Sequence, residues 1–458
     1  MTPSKAPGFP RIEDSAAFKG SPADADLSHV WHPFTQTREW NDQEPLMLVE
    51  GCGARLRDAK GRWFLDGNSS IWTNIHGHRH PRLDAALKAQ IDRIAHTSFL
   101  GFSNPLAAQL CAELAALWPA DTLSRVFLSD NGSTAIEVAL KMAAQFWLLS
   151  GKPERSRFVA FQGAYHGDTM GASALGGIPL FHERFATWQF PVERVSDFAS
   201  LQNLCAEGSA AVVIEPLVQG ANQVFVWPKG LLARVRSWCD SNGVFLIADE
   251  VLTGFGRTGT LFACEQEGVV PDFVALAKGL TGGYLPLAAT LTRESIFDAF
   301  TGEADRTLYY GHSYCGNPLG CAVALENLAI FREENVLSQL NTSLIPAFHS
   351  ALERHLAPLP EVHEIRKCGM IAGIEVRQPG GRPFEAGLRM GSRICLAARD
   401  FGLLTRPIRD TIVLMPPFCA SKTDLEEMAG AVGEAIRVCA TKRDIAAQQS
   451  SAENAGGG

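Results

Sequence analysis

Two short apolar runs, Val244–Ala248 and Phe273–Ala277, limit the fold more than any other feature of the chain. Each is too short for a helix and is bounded by turn residues, so each reads as a strand buried on both faces of a parallel sheet. A single charged residue closes each run, Asp249 after the first and Lys278 after the second. Ligands of open α/β sheets sit just beyond the carboxyl ends of the strands, which is where both charges are expected. Pyridoxal phosphate (PLP) requires such a pair, a lysine amine for its Schiff base and an acid that keeps the pyridinium nitrogen protonated. Taken singly, an Asp at a strand end is more often a cap and a Lys a solvated rim charge. Gly279, Gly282 and Gly283 strengthen the paired reading, because they let backbone approach a bulky ligand without an intervening Cβ.

The same stretch holds Gly254-Phe-Gly256-Arg-Thr-Gly259, which fits the dinucleotide fingerprint. That fingerprint must follow directly on a strand and open a helix. Here four residues intervene and no helix signal follows, so a nicotinamide-dependent dehydrogenase is the weaker alternative.

Other predicted strands end in the same way. Arg125–Ser129 is a short strand followed by Asp130-Asn131-Gly132-Ser133-Thr134, then by a helix with Ile136, Leu140, Ala143, Phe146 and Trp147 on one face. Thr134 and Glu137 stand at capping-box spacing. A strand, a glycine turn and a helix N-terminus can hold a phosphate, which makes Gly132, Ser133 and Thr134 candidates; a plain N-cap is equally open on this stretch alone. Arg157–Phe161 leads to Tyr165, an aromatic able to stack on a planar ring. Ala211–Ile214 leads to Glu215. Five strands thus end in Asn131–Ser133, Tyr165, Glu215, Asp249 and Lys278, a coherent site along one sheet edge.

Outside this body, Trp31–Gln36 is an aromatic cluster that no amphipathic period explains, and it reads as a staple for the N-terminus. Leu46–Leu65 reads as hairpins of a small antiparallel sheet, and Pro81–Ile94 as a helix. The histidines of the 76–80 segment have no carboxylate at ligand spacing, so no metal site is expected. From about Leu337 helical and strand patterns alternate as in a smaller α+β lobe. Arg406 there suits a substrate carboxylate, with a surface ion pair as the alternative. The expected division is a mobile segment 1–28, a first part of the small domain 29–75, a large PLP-binding domain 76–335, the rest of the small domain 336–441, and a disordered tail 442–458.

A net charge of −8 without a basic run argues against nucleic acid or an anionic membrane as partner. No apolar run reaches the length of a membrane span and the start lacks a signal-peptide core, so a cytoplasmic enzyme acting on small metabolites is expected. Eleven cysteines without a C-x-x-C pair fit reduced thiols.

Several motifs together resemble those of class III aminotransferases: WHPFTQ at 31–36, DGNSSIWTNIHGH at 66–78, YHGDT at 165–169, TGFGRTG at 253–259, AKGLTGGY at 277–284, GNPLGCA at 316–322, and TRP with LMPP at 405–417. The resemblance implies an α/β PLP enzyme of fold type I, a large, mostly parallel sheet flanked by helices with a smaller α+β domain. Within the class the chain is most similar to the branch that aminates 8-amino-7-oxononanoate in biotin biosynthesis. Carried over, the resemblance makes Lys278 the Schiff-base lysine and Asp249 the partner of the pyridinium nitrogen. It gives Gly132 and Ser133 to the phosphate, joined by His312 and Ser313 of a neighbouring subunit in a homodimer. Tyr165 lies against ring and substrate, Gly311 lines the substrate site, and Arg406 meets the substrate carboxylate. Phe34, Ile71 and Trp72 belong to the substrate and donor pocket. Members using S-adenosylmethionine as amino donor typically carry Tyr and Trp where this chain has Phe34 and Ile71, so the donor is either S-adenosylmethionine or lysine. An ω-amino-acid or diamine:pyruvate aminotransferase is the alternative within the class.

Overall fold

The computed structural model describes residues 20–455, with side chains as far as residue 441. The chain divides into two compact units, Met1–Glu50 with Leu56–Trp63, and Gly51–Arg55 with Phe64–Gly458. In the first unit the helix Pro22–His29 starts at Ser21, which forms a reciprocal capping box with Asp24. This helix overlaps the end of the segment 1–28 expected to be mobile, of which residues 1–19 lie outside the described residues; composition alone does not show the cap or the Pro at the helix start. Asp26 ties His32 of the aromatic cluster to Trp40, accepting from Trp40 Nε1 at 2.8 Å and pairing with His32 Nε2 at 3.0 Å.

The second unit is built on a seven-stranded sheet. Its strands are β1 (Arg125–Ser129), β2 (Arg157–Phe161), β3 (Val192–Val195), β4 (Ser209–Ile214), β5 (Phe245–Asp249), β6 (Phe273–Leu276) and β7 (Ala288–Thr292), in the order β1-β7-β6-β5-β4-β2-β3. Only β7 runs antiparallel to its neighbours. β1, β2, β4, β5 and β6 therefore end on one edge. The apolar runs hold two interleaved sets of residues, as a pleated strand demands. Phe161, Ile214, Ala248 and Leu276 pack on one face, while Ala160, Val213, Ile247 and Ala275 pack on the other. Helices cover both faces, so the strands look continuously apolar in sequence.

On the second face lies the helix Gly132–Leu149, which buries Ile136, Ala139, Leu140, Ala143 and Trp147. Its cap differs from the expected one. Asn131, not Thr134, is the N-cap: its side chain accepts from Thr134 N at 3.0 Å and Thr134 Oγ1 accepts from Asn131 N at 3.2 Å. Glu137 is drawn elsewhere because it meets the amides of Gly171 and Ala172, at 2.7 and 3.2 Å, at the start of the helix Met170–Leu175.

A four-stranded antiparallel sheet follows late in the chain, β8 (Val362–Cys368), β9 (Ile371–Val376), β10 (Arg406–Ile408) and β11 (Thr411–Leu414), in the order β8-β9-β11-β10. The last helix runs Lys422–Ala455, so most of the backbone expected as a disordered tail continues it. All eleven cysteines are free thiols. No described helix is long and apolar enough to cross a membrane.

Candidate active site

Asp249 is the last residue of β5 and is almost fully buried. Its Oδ2 lies 2.7 Å from His166 Nδ1 and its Oδ1 accepts from Val251 N at 3.1 Å. Burial opposes a charge on His166, yet the hydrogen bond and charge of Asp249, helped by Glu215, hold the imidazole above its ordinary value. His166 Nε2 has no hydrogen-bond partner among the described residues. Glu215 accepts from Tyr165 N at 3.1 Å and from Gly220 N at 3.0 Å. Burial pushes its carboxyl up to about 7, against the pull of His166 and with the push of Asp249.

Lys278 sits two residues beyond β6 with a left-handed φ of 45°, a conformation rare outside glycine. Its side chain keeps some solvent contact, but protein surrounds it closely. That enclosure pulls the amine down to about 8 and outweighs the attraction of Asp249 and Glu215. Its Nζ lies 4.6 Å from the centre of the Trp72 ring.

Trp72 arrives there by an unusual backbone. Ser69, Ser70, Ile71 and Trp72 take φ values of 43°, 48°, 66° and 73°, a left-handed turn with no glycine in it. Each such residue costs about 1–2 kcal/mol, so the turn must be held from outside. Asp66 holds it, accepting from Ser70 N at 3.0 Å and Ser70 Oγ at 2.9 Å. Trp72 Nε1 donates to Asn68 Oδ1 at 2.7 Å and Ser69 Oγ to the Met415 carbonyl at 2.7 Å.

The start of the helix Gly132–Leu149 is packed with equal closeness. The first amides of the helix Gly132–Leu149 have no intrahelical partner, and the cap takes only that of Thr134. A Cβ on Gly132 would lie 2.7 Å from Val251 Cγ1. Gly167 has a φ of 124° and a Cβ there would lie 2.1 Å from Ser133 Oγ, which accepts from Asp168 N at 3.1 Å. Asp168 Oδ2 in turn accepts from the Tyr165 hydroxyl at 2.5 Å, and burial with this bond pushes the phenol well above its ordinary range.

These contacts bring Lys278, Asp249, Tyr165, Glu215, Trp72, Gly132 and Ser133 to one edge. His312 Nε2 comes within 3.5 Å of Asp130 Oδ1, beside the helix start. Gly311 and Ser313 lie on the same exposed loop, and Arg406 is exposed at the start of β10; no described side-chain contact joins these three to Lys278. Ile71 is exposed within the left-handed turn, while Phe34 lies in the first unit, 61% exposed and with a φ of 52°. The sequence reading gives no role to His166, Gly167 or Asp66, although the first two stand within the YHGDT motif and Asp66 opens the motif at 66–78. The histidines near 78 are hydrogen-bonded side chains, His76 to Asn327 at 2.8 Å and His78 to Asp66 at 2.9 Å. The segment Val251–Gly259 is a chain of turns with left-handed φ at Phe255, Gly256 and Gly259, not the start of a helix, which removes the dinucleotide alternative.

The arrangement fits PLP on its own chemistry: an amine of lowered pKa, a buried carboxylate backed by a histidine, and free helix amides beside glycines at which a Cβ would crowd its neighbours. Residues 37–436 match the family Aminotransferase class-III. The adenosylmethionine-8-amino-7-oxononanoate aminotransferase of Geobacter sulfurreducens is 44% identical over 90% of this chain and 96% of its own. The crystal structure of the enzyme of that name from Methanocaldococcus jannaschii superposes with a TM-score of 0.88 at 36% identity, covering 91% of this chain and 98% of that one. A PLP-bound amine transaminase from an uncultivated Pseudomonas species gives 0.84 at 31% identity, over 90% and 99%. This chain belongs to the class III aminotransferases, PLP-dependent transaminases of fold type I.

Proposed function

We propose that the chain transfers an amino group to the ketone of 8-amino-7-oxononanoate, giving 7,8-diaminononanoate for biotin biosynthesis. The likeness to relatives of that activity over nine-tenths of the chain carries the reading. When bound, PLP supplies an electron sink and carries the amino group from donor to acceptor. Lys278 would hold the cofactor; an amine lowered to about 8 is partly free near neutral pH and could carry the proton at the reacting carbon. Asp249 would accept from the ring nitrogen and keep it protonated, with His166 steadying the carboxylate at 2.7 Å. Tyr165 would lie against the ring. Gly132 and Ser133 would donate to the phosphate, and His312 and Ser313 would complete that end from the second subunit of a homodimer. Trp72, Ile71, Phe34 and Gly311 shape the substrate space, and Arg406 receives the substrate carboxylate.

In this reading the small domain comprises 29–75 and 336–441, the large one 76–335, and the enzyme works in the cytoplasm. Two donors remain in play. The relatives' names favour S-adenosylmethionine, whereas Phe34 and Ile71 favour lysine. Incubating purified enzyme with 8-amino-7-oxononanoate and each donor in turn, and following diaminononanoate by mass spectrometry, decides both points. No product with either donor overturns the substrate.

A second reading rests on the ω-transaminases among the similar solved structures, such as that of Thermomicrobium roseum at 32% identity. It predicts amination of pyruvate by β-alanine or putrescine. Turnover there in the absence of any with 8-amino-7-oxononanoate would favour it.

A further inference from the structure

Asp66 has no part in the scheme above, yet its carboxylate is only 3% exposed and all its hydrogen-bonding capacity faces one segment. Oδ1 accepts from Ser70 N at 3.0 Å and Asn68 N at 3.3 Å; Oδ2 accepts from Ser70 Oγ and pairs with His78 Nε2, both at 2.9 Å. Its backbone is fixed independently, by Asp66 N donating to the Ala54 carbonyl at 2.8 Å and by the parallel pairing of Leu65–Asp66 with Leu403–Leu404. His78 is fixed likewise through backbone hydrogen bonds with Gly53. A rigid anion thus grips the middle of a turn whose four φ angles are all left-handed, and the turn's last residue presents its indole to Lys278 Nζ at 4.6 Å. Gly220 stands at the ring's edge, since a Cβ there would lie 3.4 Å from Trp72 Cζ3.

We propose that Asp66 is a positioning residue: by holding the turn Ser69–Trp72 it keeps the Trp72 indole over Lys278 Nζ and shields that amine from water. The inference rests on the reading of Lys278 as the cofactor-bearing lysine. The charges acting on the amine are Asp249 and Glu215, which favour its protonation, and Arg257, which opposes it; enclosure is the largest influence and also opposes it. When the turn is released the indole leaves and water enters; the ring face also attracts the cation, but enclosure is the larger influence, so the amine moves back toward its ordinary basicity.

The test uses the full chain freed of cofactor, with the pH dependence of Lys278 modification by an amine-directed reagent read by peptide mass spectrometry. In Asp66→Ala the midpoint rises by about one pH unit, roughly a tenfold loss of free amine at neutral pH. Trp72→Ala gives the same rise, the double variant gives no more than Trp72→Ala alone, and Asp66→Asn, which can still accept from Ser70, restores most of the wild-type midpoint. An unshifted midpoint in Asp66→Ala, or additive shifts in the double variant, overturns the proposal. Should Asp66→Ala fail to fold, Ser70→Ala removes one of the four contacts and must shift the midpoint in the same direction by a smaller amount; no shift overturns it. Borohydride trapping of PLP on a lysine other than Lys278 in the wild type would sink the reading of the site instead, while the titration would still judge Asp66.

Discussion

His166 Nδ1 and Asp249 Oδ2 stand 2.7 Å apart with both side chains buried, so the acid of the sheet edge is half of a shielded pair. The hydrogen bond and charge of Asp249 hold the imidazole above its ordinary value against burial, which favours a counter-charge beside the carboxylate. Asp249→Asn removes the anion while keeping the shape. We expect transamination to fall about a hundredfold to ten-thousandfold, the range of a lost acid–base group, measured as single-turnover rates. His166→Phe leaves Asp249 buried without its partner and lowers stability by about 3 kcal/mol in denaturant unfolding.

Lys278→Met abolishes turnover and yet stabilises the cofactor-free chain. The folded lysine titrates at about 8 against 10.5 unfolded, so between those values the unfolded state binds the extra proton and stability rises with pH. Below pH 8 the penalty of the enclosed cation is complete. The melting temperature of the methionine variant therefore exceeds that of wild type at pH 7, and the gap closes between pH 8 and 10.5.

Glu215 has the opposite slope. Its folded carboxyl titrates at about 7 against 4.5 unfolded, so the folded state binds the extra proton between these values and stability is lost as pH rises through them. Glu215→Gln removes that descent. Its unfolding free energy, followed from pH 4.5 to 7 in the cofactor-free chain, is flatter than that of wild type by about 3 kcal/mol.

Gly167→Ala places a Cβ 2.1 Å from Ser133 Oγ on a backbone with φ at 124°. We expect a loss of about 1–3 kcal/mol in stability and weaker PLP binding in a cofactor titration, because the serine that must move stands at the start of the phosphate-end helix.

Much of the sheet was legible because β4, β5 and β6 are buried on both faces and carry the unbroken apolar runs Ala210–Ile214, Phe245–Ala248 and Phe273–Leu276. β7 was not, because Ala288–Thr292 is buried without being apolar. Thr290 Oγ1 donates to the Ala135 carbonyl at 2.7 Å and Thr292 Oγ1 to that of Asp272 at 3.0 Å, which satisfies hydroxyls that a pattern reading counts as exposed. Strand ends pointed to Asp249 and Lys278, since a lone charge closing an apolar run is visible locally. His166 became Asp249's partner across 83 residues of sequence, a relationship that no spacing rule reports. The left-handed turn at Ser69–Trp72 is hidden for another reason: it is held by Asp66, so it lacks the glycines that usually announce such backbone.

Val251 touches both ends of the site. Its amide donates to Asp249 Oδ1, and its side chain fills the space where a Cβ of Gly132 would stand. One residue thus serves the acid with its backbone and the helix start with its side chain, so a larger side chain at 251 would press on Gly132 and leave in place the amide that holds Asp249.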